Sequence, residues 1–344
     1  MSEQSEDAAR GPSPEDALNA AIEGARITQV VYVAAKLGIA DVLAEGPLTG
    51  DQIAHAVNAH PRALTRLMRA LASEGFFELL EDGTFALEPR SELLRSDAAD
   101  SRRNSAIMAG APWYYGAYGH LIHSVTTGET AYEHMYGKGF FEYLHEDPEE
   151  AAFFNDIMTK GTREVAESVA DSYDFSGINT LVDVAGGHGA LLGAVLQVNP
   201  GMRGILFEQA AVLEGAPAVL GGLGVQERCE LVAGSFFESV PSGADAYMMK
   251  WIIHDWDDER ATAILKNCRR AMSDHGRLLI VEREMPAGNE KSPATLGDIT
   301  MMVIPGGQER TREEYAAILD ASGFRLAGIH ATASEMSIFE ALPA

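Results

Sequence analysis

The stretch Asp183-Val184-Ala185-Gly186-Gly187-His188-Gly189 closes a short apolar run and opens a helical one. Glycines at such a junction let a ligand approach the backbone closely, and in an open α/β sheet ligands bind at the carboxyl ends of the strands. The loop has neither the Lys-Ser/Thr of a phosphate-binding loop nor the spacing GxGxxG. Roughly twenty residues on, Glu208 ends the next apolar run, where a carboxylate is placed to accept hydrogen bonds from both hydroxyls of a ribose. Loop and acid together describe a nucleoside site without a pyrophosphate requirement. A solvated strand-end acid is the competing reading of Glu208.

A second constellation lies in Met249-Lys250-Trp251-Ile252-Ile253-His254-Asp255-Trp256-Asp257-Asp258-Glu259. His254 follows a predicted strand, on the ligand side of the sheet. Glu282 ends the next strand, and Glu309 sits in Pro305-Gly306-Gly307-Gln308-Glu309-Arg310-Thr311, just before a helix. Two carboxylates near an imidazole fix its tautomer and raise its basicity, which equips it as a general base. A lone histidine here would read as structural. One aspartate and two distant glutamates around it do not form a compact oxygen cage, so no metal is expected. Cys229 and Cys268 stand in no CxxC or Cys/His cluster and read as free thiols.

These groups need a frame. From Ile178 onward short apolar runs alternate with helical segments. Candidate strands are Leu181–Ala185, Gly204–Glu208, Cys229–Val232, Ala246–Trp251, Arg277–Glu282, Arg325–His330 and Met336–Ala341. Candidate helices are Ala190–Val198, Ala210–Leu220, Asp258–Ser273, Ala294–Ile304 and Thr311–Ser322. The alternation gives an α/β class with a parallel sheet covered on both faces. Upstream, Glu15 to Glu45 is helical and apolar on more than one side, with Gly38 as a break, which suits a core or a subunit interface. Leu48 to Arg95 reads helix, helix, hairpin. Thr49 caps the first helix and His60-Pro61 opens the second. Leu64, Leu67, Met68, Leu71 and Ala72 share a face of the second, and Glu81-Asp82-Gly83 turns the hairpin. That order is a winged helix. Ser101 to Val169 is helical and rich in aromatic residues and methionine, either as core or as the wall of a pocket for a flat ligand.

The formal net charge is -25 over 344 residues. Affinity for nucleic acid comes from Lys and Arg neutralising phosphates. Within the winged-helix stretch Arg62, Arg66 and Arg69 are outnumbered by acids such as Asp51, Glu74, Glu78, Glu81 and Asp82, so no nucleic-acid partner is expected. An anionic membrane surface is disfavoured likewise. No apolar run reaches spanning length. Residues 1–15 are polar, lack a signal-peptide pattern and read as a disordered tail. A cytoplasmic protein is expected.

The stretches VDVAGGHG, LFEQAAV, AGSFFESVP, MMKWIIHDWDDE, LLIVERE and PGGQERT fall in the order and spacing of one family. Over nearly its whole length the chain resembles the small-molecule O-methyltransferases of plants and actinomycetes, which methylate phenylpropanoids, flavonoids and polyketides. The resemblance implies a Rossmann-like class I methyltransferase domain with a mostly parallel seven-stranded sheet at 173–344. Before it, at 16–172, comes a helical dimerisation domain with a winged-helix element. It implies S-adenosylmethionine as cofactor, which also suits the nucleoside site better than NAD. It further implies a homodimer and a small aromatic acceptor.

By the same resemblance His254 is the base, flanked and oriented by Glu282 and Glu309. Asp183, Gly186, Gly187, Gly189, Glu208, Gly234, Ser235, Phe236 and Lys250 surround the cofactor: the glycine loop on its methionine part, Glu208 on the ribose, Ser235 and Phe236 at the adenine. Asp255 and Trp256 shape the site, and Trp113, Tyr114, Met158, Asp255 and Met302 are acceptor-binding candidates. Ala185 replaces a usual glycine. Ser235 replaces a common aspartate, and its hydroxyl accepts the adenine hydrogen bond more weakly than a carboxylate. A phenol, with a pKa near 10, is within reach of an imidazole base, so a phenolic or enolic acceptor is favoured. The competing reading is non-methylating chemistry on the same scaffold (hydroxylation, decarboxylation or cyclisation), against which His254 with both glutamates stands.

Overall fold

The computed structural model describes residues 13–344. Of the tail expected at 1–15, residues 1–12 lie outside the described residues. The helix Pro14–Leu37 starts earlier than that tail allows because Ser13 caps it, accepting from the Asp16 N–H, with proline in the first turn. The chain divides into two compact units, the first ending at Gly116 and the second running Ala117–Ala344.

In the first unit, the long helix ends at Gly38, whose φ of 68° supplies the left-handed cap. Strand β1 (Leu48–Thr49) precedes the helix Gly50–Ala56, which opens with a capping box between Thr49 and Gln52. The helix Pro61–Ser73 buries Leu64, Met68 and Leu71, and leads to β2 (Phe77–Leu79) and β3 (Thr84–Leu87). The three strands order β1-β3-β2. A two-residue strand has no periodicity, so β1 was invisible to pattern reading. Phe77, Phe85, Ile53 and Ile39 close the core of this winged-helix arrangement.

The expected helical stretch from Ser101 is six helices: Arg103–Gly110, Pro112–Gly119, Leu121–Thr127, Ala131–Tyr136, Phe140–Glu146 and Pro148–Ser172. Pro112 and Pro148 stand at helix starts, and left-handed Gly128 and Gly137 end others. In the second unit Tyr132 and Phe140 are buried together, so they are core.

The sheet of the second unit contains β4 (Thr180–Val184), β5 (Arg203–Glu208), β6 (Cys229–Ala233), β7 (Ala246–Lys250), β8 (Arg277–Glu282), β9 (Phe324–Ala331) and β10 (Ser337–Pro343), in the order β6-β5-β4-β7-β8-β10-β9. The first five are parallel; β10 runs antiparallel to β8 and β9. Alternate residues feed two cores. Leu181, Met248 and Leu279 enter one, while Val182, Tyr247 and Ile280 enter the other, as a sheet covered on both faces requires. The predicted helix Ala210–Leu220 is instead two, Ala210–Leu213 and Ala216–Gly222, because Pro217 starts the second. Other boundaries move by a residue or two. From β4 the chain winds outward to β6, then crosses back to β7 on the other side of β4. That reversal is the topological switch point at which such sheets open a crevice for ligands.

Candidate active site

One half of the site is built where β4 and β5 end. Asp183 is buried and its Oδ2 has no hydrogen-bond partner in the protein. Burial pushes its pKa up to about 7, against the pull of the Lys250 charge. Ala185 takes a φ of 55°, and Gly187 and Gly189 take 59° and 79°. The usual glycine at the Ala185 position is thus explained: the turn needs a left-handed residue, which alanine adopts at a cost. A Cβ on Gly186 would lie 2.4 Å from the Asp183 carboxyl, so the loop must press on the strand end, while Gly187 opens onto free space.

Glu208 accepts the N–H groups of Gly187 at 3.0 Å and Gln209 at 2.7 Å. A carboxylate has about four acceptor positions, so it keeps capacity for further donors. Burial raises its pKa, against those two bonds. Beyond β6, a Cβ on Gly234 would meet the Phe207 ring at 2.4 Å. The Ser235 hydroxyl accepts the Phe237 N–H at 3.3 Å, a local turn bond. Phe236 packs edge-on to Trp256 at 6.1 Å between centroids, and Asn267 holds its carbonyl at 2.7 Å. At the end of β7, the Lys250 ammonium lies 3.1 Å from the Trp251 ring centroid. Burial holds its pKa well below the usual lysine range, opposed by Asp183.

The other half lies where β7 and β8 end. His254 sits in the turn Ile253–Asp255 and is buried. Its Nδ1 is 3.0 Å from Glu309 Oε1, and its Nε2 is 3.6 Å from Asp255 Oδ1. Nδ1–H donates to the carboxylate, which leaves the lone pair of the neutral ring on Nε2. Burial works against protonation, but the Asp255 charge, the Glu309 hydrogen bond and the Glu282 charge outweigh it and lift the pKa to about 9. Asp255 is itself raised to about 7 by burial, with His254 opposing.

Glu282 is wholly buried, but its oxygens do not meet the imidazole by any hydrogen bond. Oε1 accepts the N–H groups of Ile252, Ile253 and His254 at 3.0, 2.7 and 3.3 Å, and Oε2 accepts the Tyr315 hydroxyl. Where a flanking acid was expected, Glu282 holds the main chain of the turn and acts on the ring through its charge. Glu309 does bond the ring; its N–H donates to Asp298 Oδ1 at 2.9 Å, and its Oε2 is buried without a partner.

Of the acceptor candidates, Trp113 and Tyr114 belong to the first unit, with rings edge-to-face at 5.6 Å. Half-buried Met158, on Pro148–Ser172, and Met302, on Pro293–Val303, belong to the second. Several residues here escaped the sequence reading. Trp251 holds a φ of 56°, has the Lys250 ammonium and the Arg283 guanidinium against its ring, and has a buried Nε1 without a partner. Arg283 lies 3.9 Å from Glu309, and Phe141 stacks on Trp256 at 5.2 Å. Adjacency to the motifs was the one available signal for Trp251 and Arg283; Phe141 belongs to the aromatic-rich stretch 101–169, which gave its type but not its partner. Among the described residues no group of His, Cys, Asp and Glu forms a metal cluster, and no helix is long and apolar enough to cross a membrane.

Comparison with known proteins follows the same outline. The O-methyltransferase domain family matches residues 118–325 and the O-methyltransferase dimerisation domain matches 20–97. A phenazine O-methyltransferase of Lysobacter antibioticus is 44% identical over 94% of each chain. A mitomycin biosynthesis 6-O-methyltransferase of Streptomyces lavendulae is 40% identical over 91% of this chain and 89% of its own. Among solved structures, an O-methyltransferase from neocarzinostatin biosynthesis, in complex with S-adenosylmethionine and 2-hydroxy-5-methyl naphthoic acid, superposes with a TM-score of 0.85. It is 33% identical and covers 92% of this chain and 96% of its own.

Proposed function

This chain belongs to the S-adenosylmethionine-dependent O-methyltransferase family, and from that premise we propose that it methylates a phenolic or enolic hydroxyl of a small aromatic secondary metabolite with His254 as general base. A relative that methylates a phenazine and another bound to a hydroxynaphthoic acid support that acceptor class. The observation that carries the reading is the buried His254, with Nδ1 on Glu309 and Nε2 left as the basic atom, beside the cofactor residues.

The residues at the ends of β4 and β5 suit the cofactor. The unpartnered Asp183 oxygen and the spare capacity of Glu208 offer acceptors for hydroxyl and ammonium groups, and their charge suits a cation. The open face of Gly187 lets the chain approach closely. Glu208 would take the ribose, the Gly186–Gly189 loop and Asp183 the methionine part, and Gly234, Ser235 and Phe236 the adenine, with Lys250 alongside. When bound, S-adenosylmethionine supplies an electrophilic methyl group on its sulfonium.

The chain's own task is to place the acceptor oxygen and take its proton. His254 Nε2 receives the hydroxyl proton, Glu309 stabilises the imidazolium through Nδ1, and Asp255 adds a second negative charge beside Nε2. A base lifted to about 9 faces a phenol near 10, so the transfer is nearly balanced. Because the methyl donor needs no further activation, we propose a metal-independent reaction. Met158 and Met302, both of the second unit, are proposed to line the acceptor site. The 20–97 match supports a homodimer. We propose 16–172 as the dimerisation and acceptor region and 173–344 as the cofactor domain, in the cytoplasm.

The test incubates protein with methyl-labelled S-adenosylmethionine, a hydroxyphenazine and 2,7-dihydroxy-5-methyl-1-naphthoate, with and without chelator. Label on the acceptor oxygen, indifferent to chelator and largely lost in His254→Ala, is the expected result. Label retained at the wild-type rate in that variant refutes the assigned base. Cofactor binding without transfer to any phenol refutes the acceptor class.

A further inference from the structure

Arg310 is the largest fully buried side chain among the described residues. A guanidinium taken out of water needs every N–H matched, and here the partners are specific. Nη1 donates to the Ile253 carbonyl at 3.0 Å and more weakly to Gln308 O at 3.4 Å. Nη2 donates to the Trp256 carbonyl at 2.8 Å and to Asp258 Oδ1 at 2.8 Å, and Nε donates to Asp258 Oδ1 at 3.1 Å. Ile253 and Trp256 bracket His254 and Asp255. The planar fork thus grips the turn on both sides of the imidazole.

The rest of the loop works on the same target. The His254 carbonyl accepts the Gln308 N–H at 2.9 Å, and a Cβ on Gly307 would stand 2.0 Å from that carbonyl oxygen. Glu309, next to Arg310, bonds the ring. From the opposite side Glu282 collects the N–H groups of Ile252, Ile253 and His254. One carboxylate gathers the donors of the turn and one guanidinium gathers its acceptors.

We propose that Arg310 is a positioning residue for the reaction: it holds the carbonyls on either side of His254 so that Nδ1 stays on Glu309 and Nε2 faces the acceptor. This rests on the reading of His254 as base. A lysine cannot replace it, because a single ammonium cannot bridge the two carbonyls and Asp258 at fixed angles.

The test measures Arg310→Lys, with a hydroxyphenazine acceptor, in the wild-type and His254→Ala backgrounds across pH. Displacing a reacting group by about 1 Å costs about a hundredfold in rate, so kcat should fall by about that factor near neutral pH. Cofactor Kd, read by calorimetry, should hold within about threefold if the cofactor half of the site is untouched. The deficit should narrow as pH approaches the acceptor's own pKa near 10, where the phenol ionises without help. In the His254→Ala background the substitution should cost nothing further. An equal deficit at every pH, or an equal loss in both backgrounds, would overturn the proposal and leave Arg310 a part of the scaffold. His254→Ala at wild-type rate would overturn the base assignment and this proposal with it, whereas failure of the Arg310 effect alone leaves that assignment standing. If Arg310→Lys does not fold, Asp258→Asn decides. That side chain is 64% exposed and anchors two of the Arg310 bonds. It should lower kcat about tenfold with the same narrowing at high pH, and an unchanged kcat would overturn the proposal.

Discussion

The two halves of the site differ in how their polar groups are satisfied. At the ends of β4 and β5, Asp183 Oδ2 is buried with no partner, and Glu208 is half used by two backbone donors. At the ends of β7 and β8, the donors of the turn go to Glu282, its carbonyls to Arg310 and Gln308, and the His254 ring to Glu309. The first half leaves acceptors open at its strand ends. In the second, the main chain of the turn and one ring nitrogen are met, and what stays open is Glu309 Oε2 and Trp251 Nε1. On the proposed reading, open buried valences serve a ligand and the met ones hold a base in place.

That contrast can be broken by substitution. The largest effect is expected from His254→Ala, which should lower kcat by about 10²–10⁴-fold while leaving cofactor Kd unchanged. Kinetics beside calorimetry would show it, and a matching loss of cofactor affinity would erase the distinction between the halves. Glu208→Gln should do the reverse, weakening cofactor binding by about 10–100-fold through the loss of charged hydrogen bonds, with kcat at saturation little changed.

Titration sharpens the same contrast. The base works as neutral imidazole, so kcat/KM for the acceptor should rise with pH to an inflection near 9 in the wild type. Glu309→Gln removes the charge that favours the imidazolium and leaves only a neutral acceptor on Nδ1, so the inflection should move down, toward the ordinary histidine value near 6.5. A pH profile fixed at its wild-type position would contradict the assigned partner.

Stability without ligand should also respond to pH. Asp183 and Asp255 are raised to about 7 and His254 to about 9. A raised pKa contributes stability that is full below the unfolded value and is lost as pH climbs through the folded one. For the two carboxyls the loss runs from about 4 to about 7, and for His254 from about 6.5 to about 9. Between about pH 4 and 7 the melting temperature of ligand-free Asp183→Asn should therefore fall less with rising pH than that of the wild type, because the substitution removes one of the raised carboxyls. The smallest effect is expected from Ser235→Asp. Its hydroxyl now accepts a local N–H, and a carboxylate there should tighten cofactor binding by a few fold.

Much of the first half could be read from the chain alone. The glycine loop is contiguous, and Glu208 follows one strand later because a βαβ unit sets that distance. His254, Glu282 and Glu309 were found as candidates, but not that Glu309 would bond the ring while Glu282 holds the main chain of the turn. Arg310, Tyr315 and the left-handed Trp251 went unread. Arg310 meets Ile253 across 57 positions and Tyr315 meets Glu282 across 33, and no local period records such pairs.

What the sequence determined by itself is whatever short range can encode: the alternation of strands and helices, the capped helix starts at Thr49 and Thr311, the turn at the β4 end, and the net charge of -25. What only the tertiary structure decided is which atom of each acid is occupied and which remains for a ligand. Sheet order brings β4, β7 and β8 side by side, and only then do Glu282, Glu309 and Arg310 divide the turn around His254 among them. The physical reason is that a buried polar group is satisfied by whatever the fold places within about 3 Å of it, and that distance has no counterpart along the chain.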